Sequence, residues 1–209
     1  MTGKWPPTGY TNPEPYTIND RLILVIALVL TLPTVTLIRP IISDGTSAFT
    51  EFGEVTGLVE LPLLYLLAVL AMSLGWLFSS GVTIILIHEG VHYLAGVVCG
   101  QDPTFVWSEY LGLKNPGIVI YETGTTRAEN MLMLAGPFII LTPLCAVVMW
   151  STSGMLSATA ATMLAINTVA SCADLYNVGR LVMMPRGTLF ANFDDGEGGL
   201  DTEFVTPSE

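Results

Sequence analysis

The sequence predicts an all-α membrane protein with about four transmembrane helices and a small cytoplasmic β-hairpin between the second and the third. Three observations support this fold class. Of the 209 residues, 51% are hydrophobic and 12% are charged, with a mean hydropathy of +0.62, whereas an ordinary soluble domain carries about 25% charged residues. The chain contains long uncharged runs of the length that crosses a bilayer. Its few Lys and Arg residues are distributed as the positive-inside rule requires for that number of spans.

The chain before the first apolar run, residues 1–20, is rich in proline and polar residues. It lacks the basic region, apolar region and small-residue cleavage site that follow one another in a cleaved signal peptide. We therefore expect a disordered cytoplasmic N-terminal segment. The membrane domain follows over residues 21–186. Its first predicted span is the uncharged run Leu22–Ile38, which is bounded by Arg21 and Arg39.

The second apolar run is longer than one membrane thickness. After a polar, acidic segment at residues 40–60, expected to be a loop or a short surface helix, no charge occurs from Leu61 to Ile87. Either one helix, kinked at Ser79-Ser80-Gly81, crosses the bilayer and continues past it, or two spans turn there and the protein has five. One helix leaves both termini and the following segment, with most of the Lys and Arg residues, on the cytoplasmic side. We therefore predict a multi-pass protein of the cell membrane with four spans and both termini cytoplasmic.

Residues 100–127 are polar enough to leave the hydrocarbon. Within them, Thr104–Tyr110 and Gly117–Glu122 have β-branched and aromatic character, and they are separated by Gly112 and by Asn115-Pro116-Gly117, which is typical of a turn. These features predict the β-hairpin. Such a ribbon could pair with an extended substrate by strand addition, or it could be a plain connection.

The third predicted span is Met131–Trp150, and Ala135-Gly136-Pro137 near its start permits a close helix approach and a bend. Neighbouring groups satisfy a carbonyl that such a proline frees. The fourth span runs from Met155 to about Tyr176 and is rich in Ala, Thr and Ser, which suits tight packing. Residues 187–209 are acidic and polar, and we predict a disordered tail there.

The charge balance excludes some partners. The formal net charge is −11, so nucleic acid and anionic lipid surfaces would be repelled, and we expect no nucleic-acid partner. The lipid bilayer is the expected environment. Acidic, lysine-poor polar segments suit a cell with high internal salt, where such charge is screened. The three cysteines are scattered and form no C-x-x-C, which indicates neither a disulfide framework nor a cysteine-based zinc site.

The segment with the clearest chemistry is His88-Glu89-Gly90-Val91-His92, which contains both histidines of the chain. Residues four apart on a helix lie on one face, about 6 Å apart along the axis, so both imidazoles can bind one metal ion. The H-E-x-x-H pattern on a helix is typical of zinc sites in which Glu89 acts as general base. Apolar segments flank it, where an ionisable group is costly unless it has a function. The alternative is a polar helix patch in which hydrogen bonds satisfy both histidines.

Catalytic zinc needs a third protein ligand. Asp174 is the only acidic residue between Glu129 and Asp194, and an acid near the end of a membrane helix needs a partner such as a metal ion. In the four-span topology it lies on the cytoplasmic side with the two histidines. Alternatively, Asp174 pairs with Arg180 at the interface. The other candidates are Glu109, Glu122 and Glu129 as ligands, and Asn167 and Asn177 as groups that hold substrate or an oxyanion.

Three features together resemble the site-2-protease type of intramembrane zinc peptidase: the H-E-x-x-H helix, Ala135-Gly136-Pro137 at the start of the next span, and an aspartate near a further helix end. The length and layout are more narrowly similar to the DUF3267 group of zincin peptidases over about residues 82–186. The usual Leu-Asp-Gly is replaced here by Ala173-Asp174-Leu175. The resemblance implies hydrolysis of a peptide or membrane-protein substrate in or beside the membrane.

These observations together predict Zn²⁺ as cofactor, with His88, His92 and Asp174 as ligands and Glu89 as catalytic base. The competing prediction is a catalytically silent membrane protein that binds a metal or a partner without cutting. Loss of the base would indicate such a protein, and Glu89 is present. A metal transporter would need several intramembrane acids or histidines along a path, and the spans carry one cluster.

Overall fold

Four long helices form most of the protein in the computed structural model, which describes residues 5–110, 113–121, 124–194 and 200–208. All four are long and apolar enough to cross a membrane, in agreement with the predicted number of spans. On the first helix, the apolar side chains of Leu24 and Leu32 are 61% and 64% exposed, and apolar surfaces of this kind are typical of membrane contact. The helices are α1 (Asp20–Val55), α2 (Pro62–Val98), α3 (Arg127–Ser151) and α4 (Gly154–Met183), with a short 3₁₀ helix (Leu58–Glu60) before α2.

The long second apolar run forms one continuous helix, α2. The step Ser79-Ser80-Gly81, where a five-span arrangement would turn, lies inside this helix. The Ser79 hydroxyl donates to the carbonyl of Trp76 at 3.1 Å, so the serine is satisfied within the helix and does not terminate it. The single-helix prediction is therefore confirmed, and the five-span alternative is wrong.

The first helix, α1, extends beyond the predicted first span. Residues 40–55, expected to form a loop or a short surface helix, continue the same helix. Gly45 accounts for part of this difference, because a Cβ atom there would lie 2.3 Å from the Ala158 Cβ and 2.9 Å from the Gly154 carbonyl oxygen. Here glycine serves a close approach to α4 and not a turn. Local composition does not distinguish these two uses.

Within the described residues, six strands form two sheets. A two-stranded hairpin of β2 (Thr104–Tyr110) and β3 (Leu113–Val119) lies between α2 and α3 in the chain. The other sheet is antiparallel and has the order β1-β6-β5-β4. Its strands are β1 (Glu14–Pro15), β4 (Thr125–Thr126), β5 (Leu189–Asp194) and β6 (Leu200–Val205). The fold is therefore not all-α, although helices dominate it.

The predicted hairpin exists, but Asn115-Pro116-Gly117, one of its two predicted turn signals, lies in a strand. The first strand has the predicted bounds, whereas Asn115-Pro116-Gly117 lies inside β3, where Pro116 is opposite Trp107. Proline lacks the N–H that a central strand donates, but an edge strand tolerates it. The two strands are joined at residues 111–112, which lie outside the described residues, as does Glu122 at the end of the predicted second strand.

Much of both chain ends is folded, although we predicted disorder for residues 1–20 and 187–209. The four-stranded sheet combines strands from both ends, and Phe190 and Val205 are 4% and 0% exposed. The ring of Tyr16 packs edge-on against Phe190, with 5.7 Å between the ring centroids. Because the apolar cluster is assembled from distant parts of the chain, the polar composition of each end alone does not reveal it.

The chain divides into two compact units. The first is built from helices, comprises Val25–His88 and Phe138–Cys172, and includes the buried residues Ile38, Leu141 and Met149. The second contains both sheets, comprises Met1–Leu24, Glu89–Pro137 and Ala173–Glu209, and includes the buried residues Met133, Tyr176 and Phe190.

Candidate metal centre

The two histidines of α2 each make a hydrogen bond through Nδ1. His88 is 3% exposed, and its Nδ1 lies 3.0 Å from the amide oxygen of Asn167. His92 Nδ1 lies 2.9 Å from the carbonyl oxygen of Met133. Both partners are acceptors, so each Nδ1 carries the proton and donates it. Each Nε2 is then the ring nitrogen that remains for a metal ion.

The partner of His88 is itself held in one orientation. Asn167 is completely buried, and its amide nitrogen donates to the Thr142 hydroxyl at 3.2 Å. In this arrangement the amide oxygen faces His88 and the amide nitrogen faces Thr142. Partners on the far nitrogen of a metal-binding imidazole orient the ring and raise its basicity. The sequence predicted Asn167 as a group for substrate or an oxyanion, and the structure places its amide against His88.

Asp174 on α4 completes a group of three potential ligands. Its Oδ2 lies 3.5 Å from His92 Nε2, and one ligand atom each from His88, His92 and Asp174 lie within 4.8 Å of one another. Two ligands held about 2.1 Å from a tetrahedral zinc ion are about 3.4 Å apart, which matches the contact of Asp174 with His92. Two imidazole nitrogens and a carboxylate oxygen suit zinc and leave a fourth position open. The structure thus brings together all three predicted ligands.

Arg180, the alternative partner of Asp174, makes other contacts. Its guanidinium lies over the ring of Tyr16, 4.3 Å from the ring centroid, and donates to the carbonyl of Thr17. Asn177, a candidate for substrate binding, accepts a hydrogen bond of 3.0 Å from the Tyr16 hydroxyl. Arg180 and Asn177 therefore attach the N-terminal segment to the end of α4.

Glu129, an alternative metal ligand, caps α3. Its carboxylate accepts from the Thr126 N–H at 2.7 Å, and the Thr126 hydroxyl accepts from the Glu129 N–H at 3.2 Å. This reciprocal pair is a capping box, which satisfies two N–H groups at the helix start. Of the other candidates, Glu122 and the side chain of Glu109 lie outside the described residues. The predicted base, Glu89, directly follows His88 on α2 and is partly exposed.

Close packing of α3 beside α2 brings the Met133 carbonyl to His92. A Cβ atom on Gly136 would lie 3.3 Å from Val91 Cγ1, so the small residue permits the approach that Ala135-Gly136-Pro137 predicted. Sequence reasoning did not identify Met133 as the partner of His92. Pro137, four residues later, was the available signal, because a proline leaves the carbonyl four residues before it without a helical donor.

One family model matches the region that contains this site. It is DUF3267, described as "Putative zincin peptidase", and the match covers residues 81–189, slightly more than half of the 209-residue chain. The matched region contains the H-E-x-x-H segment and Asp174. No curated protein and no solved structure matches the chain.

Proposed function

Because the chain belongs to the DUF3267 family of putative zincin peptidases, we propose that it is a membrane-embedded zinc metallopeptidase. It hydrolyses a peptide bond in or next to the membrane. One observation carries the proposal: ligand atoms of His88, His92 and Asp174 lie within 4.8 Å of one another, and Glu89 follows the first histidine. The three side chains supply the donor set and the open fourth position of a hydrolytic zinc site.

Each residue of the site has a separate role. Zinc, when bound, acts as a Lewis acid that lowers the pKa of a water molecule and polarises the carbonyl of the scissile bond. Glu89 accepts the proton of the attacking water and returns it to the leaving amine. Asn167 and the Met133 carbonyl hold the two imidazoles with Nε2 available. The chain thus supplies the ligands, their orientation and the base.

The substrate is a peptide or a membrane protein cleaved near the cytoplasmic face. A helical substrate must unwind locally, because its carbonyls are otherwise hydrogen-bonded and shielded. The hairpin of β2 and β3 is a two-stranded sheet among the described strands, so its outer edges can accept an extended substrate segment by strand addition. This role of the hairpin is part of the proposal.

Elemental analysis of the protein purified in detergent tests the proposal directly. We expect close to one zinc ion per chain in the wild type, and a large loss of zinc in His88→Ala and Asp174→Ala, because each removes a ligand. Glu89→Gln should keep the zinc and abolish cleavage, because it removes only the base. Asp102→Ala, an exposed aspartate beyond the end of α2, is the matched control and should keep both zinc and cleavage.

Two results would contradict the peptidase. Absence of zinc from the folded wild type would remove the metal chemistry on which it depends. Full zinc occupancy without cleavage of any membrane peptide would leave the alternative of a catalytically silent metal-binding or partner-binding protein. A wild-type rate in Glu89→Gln would assign the base to another residue.

A further inference from the structure

We propose that Pro137 is a positioning residue for His92, because it leaves the Met133 carbonyl available to accept the imidazole Nδ1–H. The role of this contact in metal binding rests on the function proposed above. The contact itself is a feature of the described residues, with 2.9 Å between His92 Nδ1 and the Met133 oxygen.

The backbone of α3 explains why this carbonyl is available. In a regular α-helix the carbonyl of Met133 accepts the N–H of residue 137. Pro137 has no N–H, and its ring crowds the carbonyl four residues before it. Proline therefore removes the intrahelical donor and displaces the carbonyl from its regular direction. Membrane helices tolerate this loss when a neighbouring group satisfies the carbonyl, and here that group is the His92 imidazole.

The Met133 carbonyl lies among buried residues. Pro137 is fully buried, and Met133 is 9% exposed. Gly136, between them in the chain, lets α3 approach α2, because its missing Cβ would be 3.3 Å from Val91 Cγ1. Water has little access to a carbonyl in such a place, so an unsatisfied Met133 oxygen would be costly. The His92 hydrogen bond satisfies this oxygen and fixes the ring.

The consequence for the metal centre concerns the orientation of the His92 ring. An imidazole that donates through Nδ1 leaves Nε2 as the ring atom for a metal ion, and this atom lies 3.5 Å from the Asp174 carboxylate. With an alanine at position 137, the backbone N–H would compete for the Met133 carbonyl. His92 would then exchange between ring orientations, only some of which present Nε2.

The test compares Pro137→Ala with Pro143→Ala, a second proline of the same helix. Both variants restore an intrahelical hydrogen bond, but only Pro137→Ala restores it at Met133. Because the chain has two histidines, ¹⁵N-histidine labelling gives two imidazole signal sets, which His88→Ala assigns. In metal-free protein we expect a single His92 Nδ1–H signal, hydrogen-bonded to the Met133 carbonyl, in the wild type and in Pro143→Ala. We expect this signal to be weakened or split in Pro137→Ala, because the ring then samples several orientations.

Zinc affinity, measured by competition with a chelator, is the second readout. Loss of an imidazole's outer partner typically weakens metal binding about 10- to 100-fold, and we expect a loss of about tenfold for Pro137→Ala. Its thermal unfolding midpoint should not fall, because alanine favours the helix interior over proline. A wild-type His92 Nδ1–H signal and wild-type affinity in Pro137→Ala, or an equal loss in Pro143→Ala, would overturn the proposal.

The two proposals fail in different ways. If the wild type binds no zinc, the proposed peptidase is wrong, while the His92 Nδ1–H signal in metal-free protein still tests the contact with Met133. If the wild type binds zinc and Pro137→Ala leaves His92 unchanged, only the positioning role is wrong.

Discussion

At the scale of residues, the two histidines are oriented by different kinds of partner. His88 donates to a side-chain amide, that of Asn167, whereas His92 donates to a backbone carbonyl, that of Met133. A side-chain partner can be removed without changing the backbone. The H-E-x-x-H pattern predicts two imidazoles on one helix face, but it contains no information about either partner, because both lie on other helices.

Asn167→Ala should weaken zinc binding about 10- to 100-fold, because it removes the acceptor that holds His88 Nδ1. A chelator titration of the detergent-purified protein measures this effect. Asn177→Ala is the matched control on the same helix, since Asn177 contacts Tyr16, and it should keep the affinity of the wild type. If Asn167→Ala kept its affinity and lost only cleavage, the amide would act on substrate, as the sequence suggested.

At the scale of elements, the N-terminal segment is attached to the end of α4. The Tyr16 hydroxyl donates to Asn177, the Asn19 N–H donates to the Tyr176 hydroxyl at 3.1 Å, and Arg180 lies over the Tyr16 ring. Asn177 follows Asp174 by less than one helical turn. The segment therefore stabilises the part of α4 that carries the third metal ligand. The proline and polar residues of the N-terminal segment predicted disorder and gave no sign of this role.

Tyr16 makes this attachment sensitive to alkaline pH. Burial raises the pKa of Tyr16 above its usual value of 10.0, while Arg180 opposes this shift and Tyr176 adds to it. Its contribution is fully present below pH 10 and is lost as the pH rises through the higher pKa of the folded state, because ionisation is easier in the unfolded chain. Thermal unfolding midpoints should fall more steeply above pH 10 in the wild type than in Tyr16→Phe. Parallel curves would contradict this expectation.

At the scale of the whole molecule, the Lys and Arg residues are unevenly distributed along the chain. The turns between α1 and α2 and between α3 and α4 contain no Lys or Arg. The three other polar segments, with the adjoining helix ends, contain six of the seven basic residues, Lys4, Arg21, Lys114, Arg127, Arg180 and Arg186, and the seventh, Arg39, lies within α1. By the positive-inside rule, we propose that these segments and both termini are cytoplasmic.

Reporter fusions test this orientation. A fluorescent protein fused after the last residue should be fluorescent, and alkaline phosphatase fused there should be inactive, because the phosphatase requires export. A fusion after Gly57, in the turn that follows α1, should give the opposite result and serves as the control. An active phosphatase at the C-terminus would contradict the proposed topology.

The sequence by itself determined the number of long helices, the strand Thr104–Tyr110 and the candidate ligands His88, His92 and Asp174. These features depend on local signals: uncharged runs, β-branched and aromatic residues, and ligand types at helical spacing. Only the tertiary structure decided the length of α1, the register of the hairpin and the sheet formed from both chain ends. It also decided the partners of each imidazole, Asn167 and Met133. These features depend on groups that are far apart in the chain and become neighbours only on folding, so no local pattern records them.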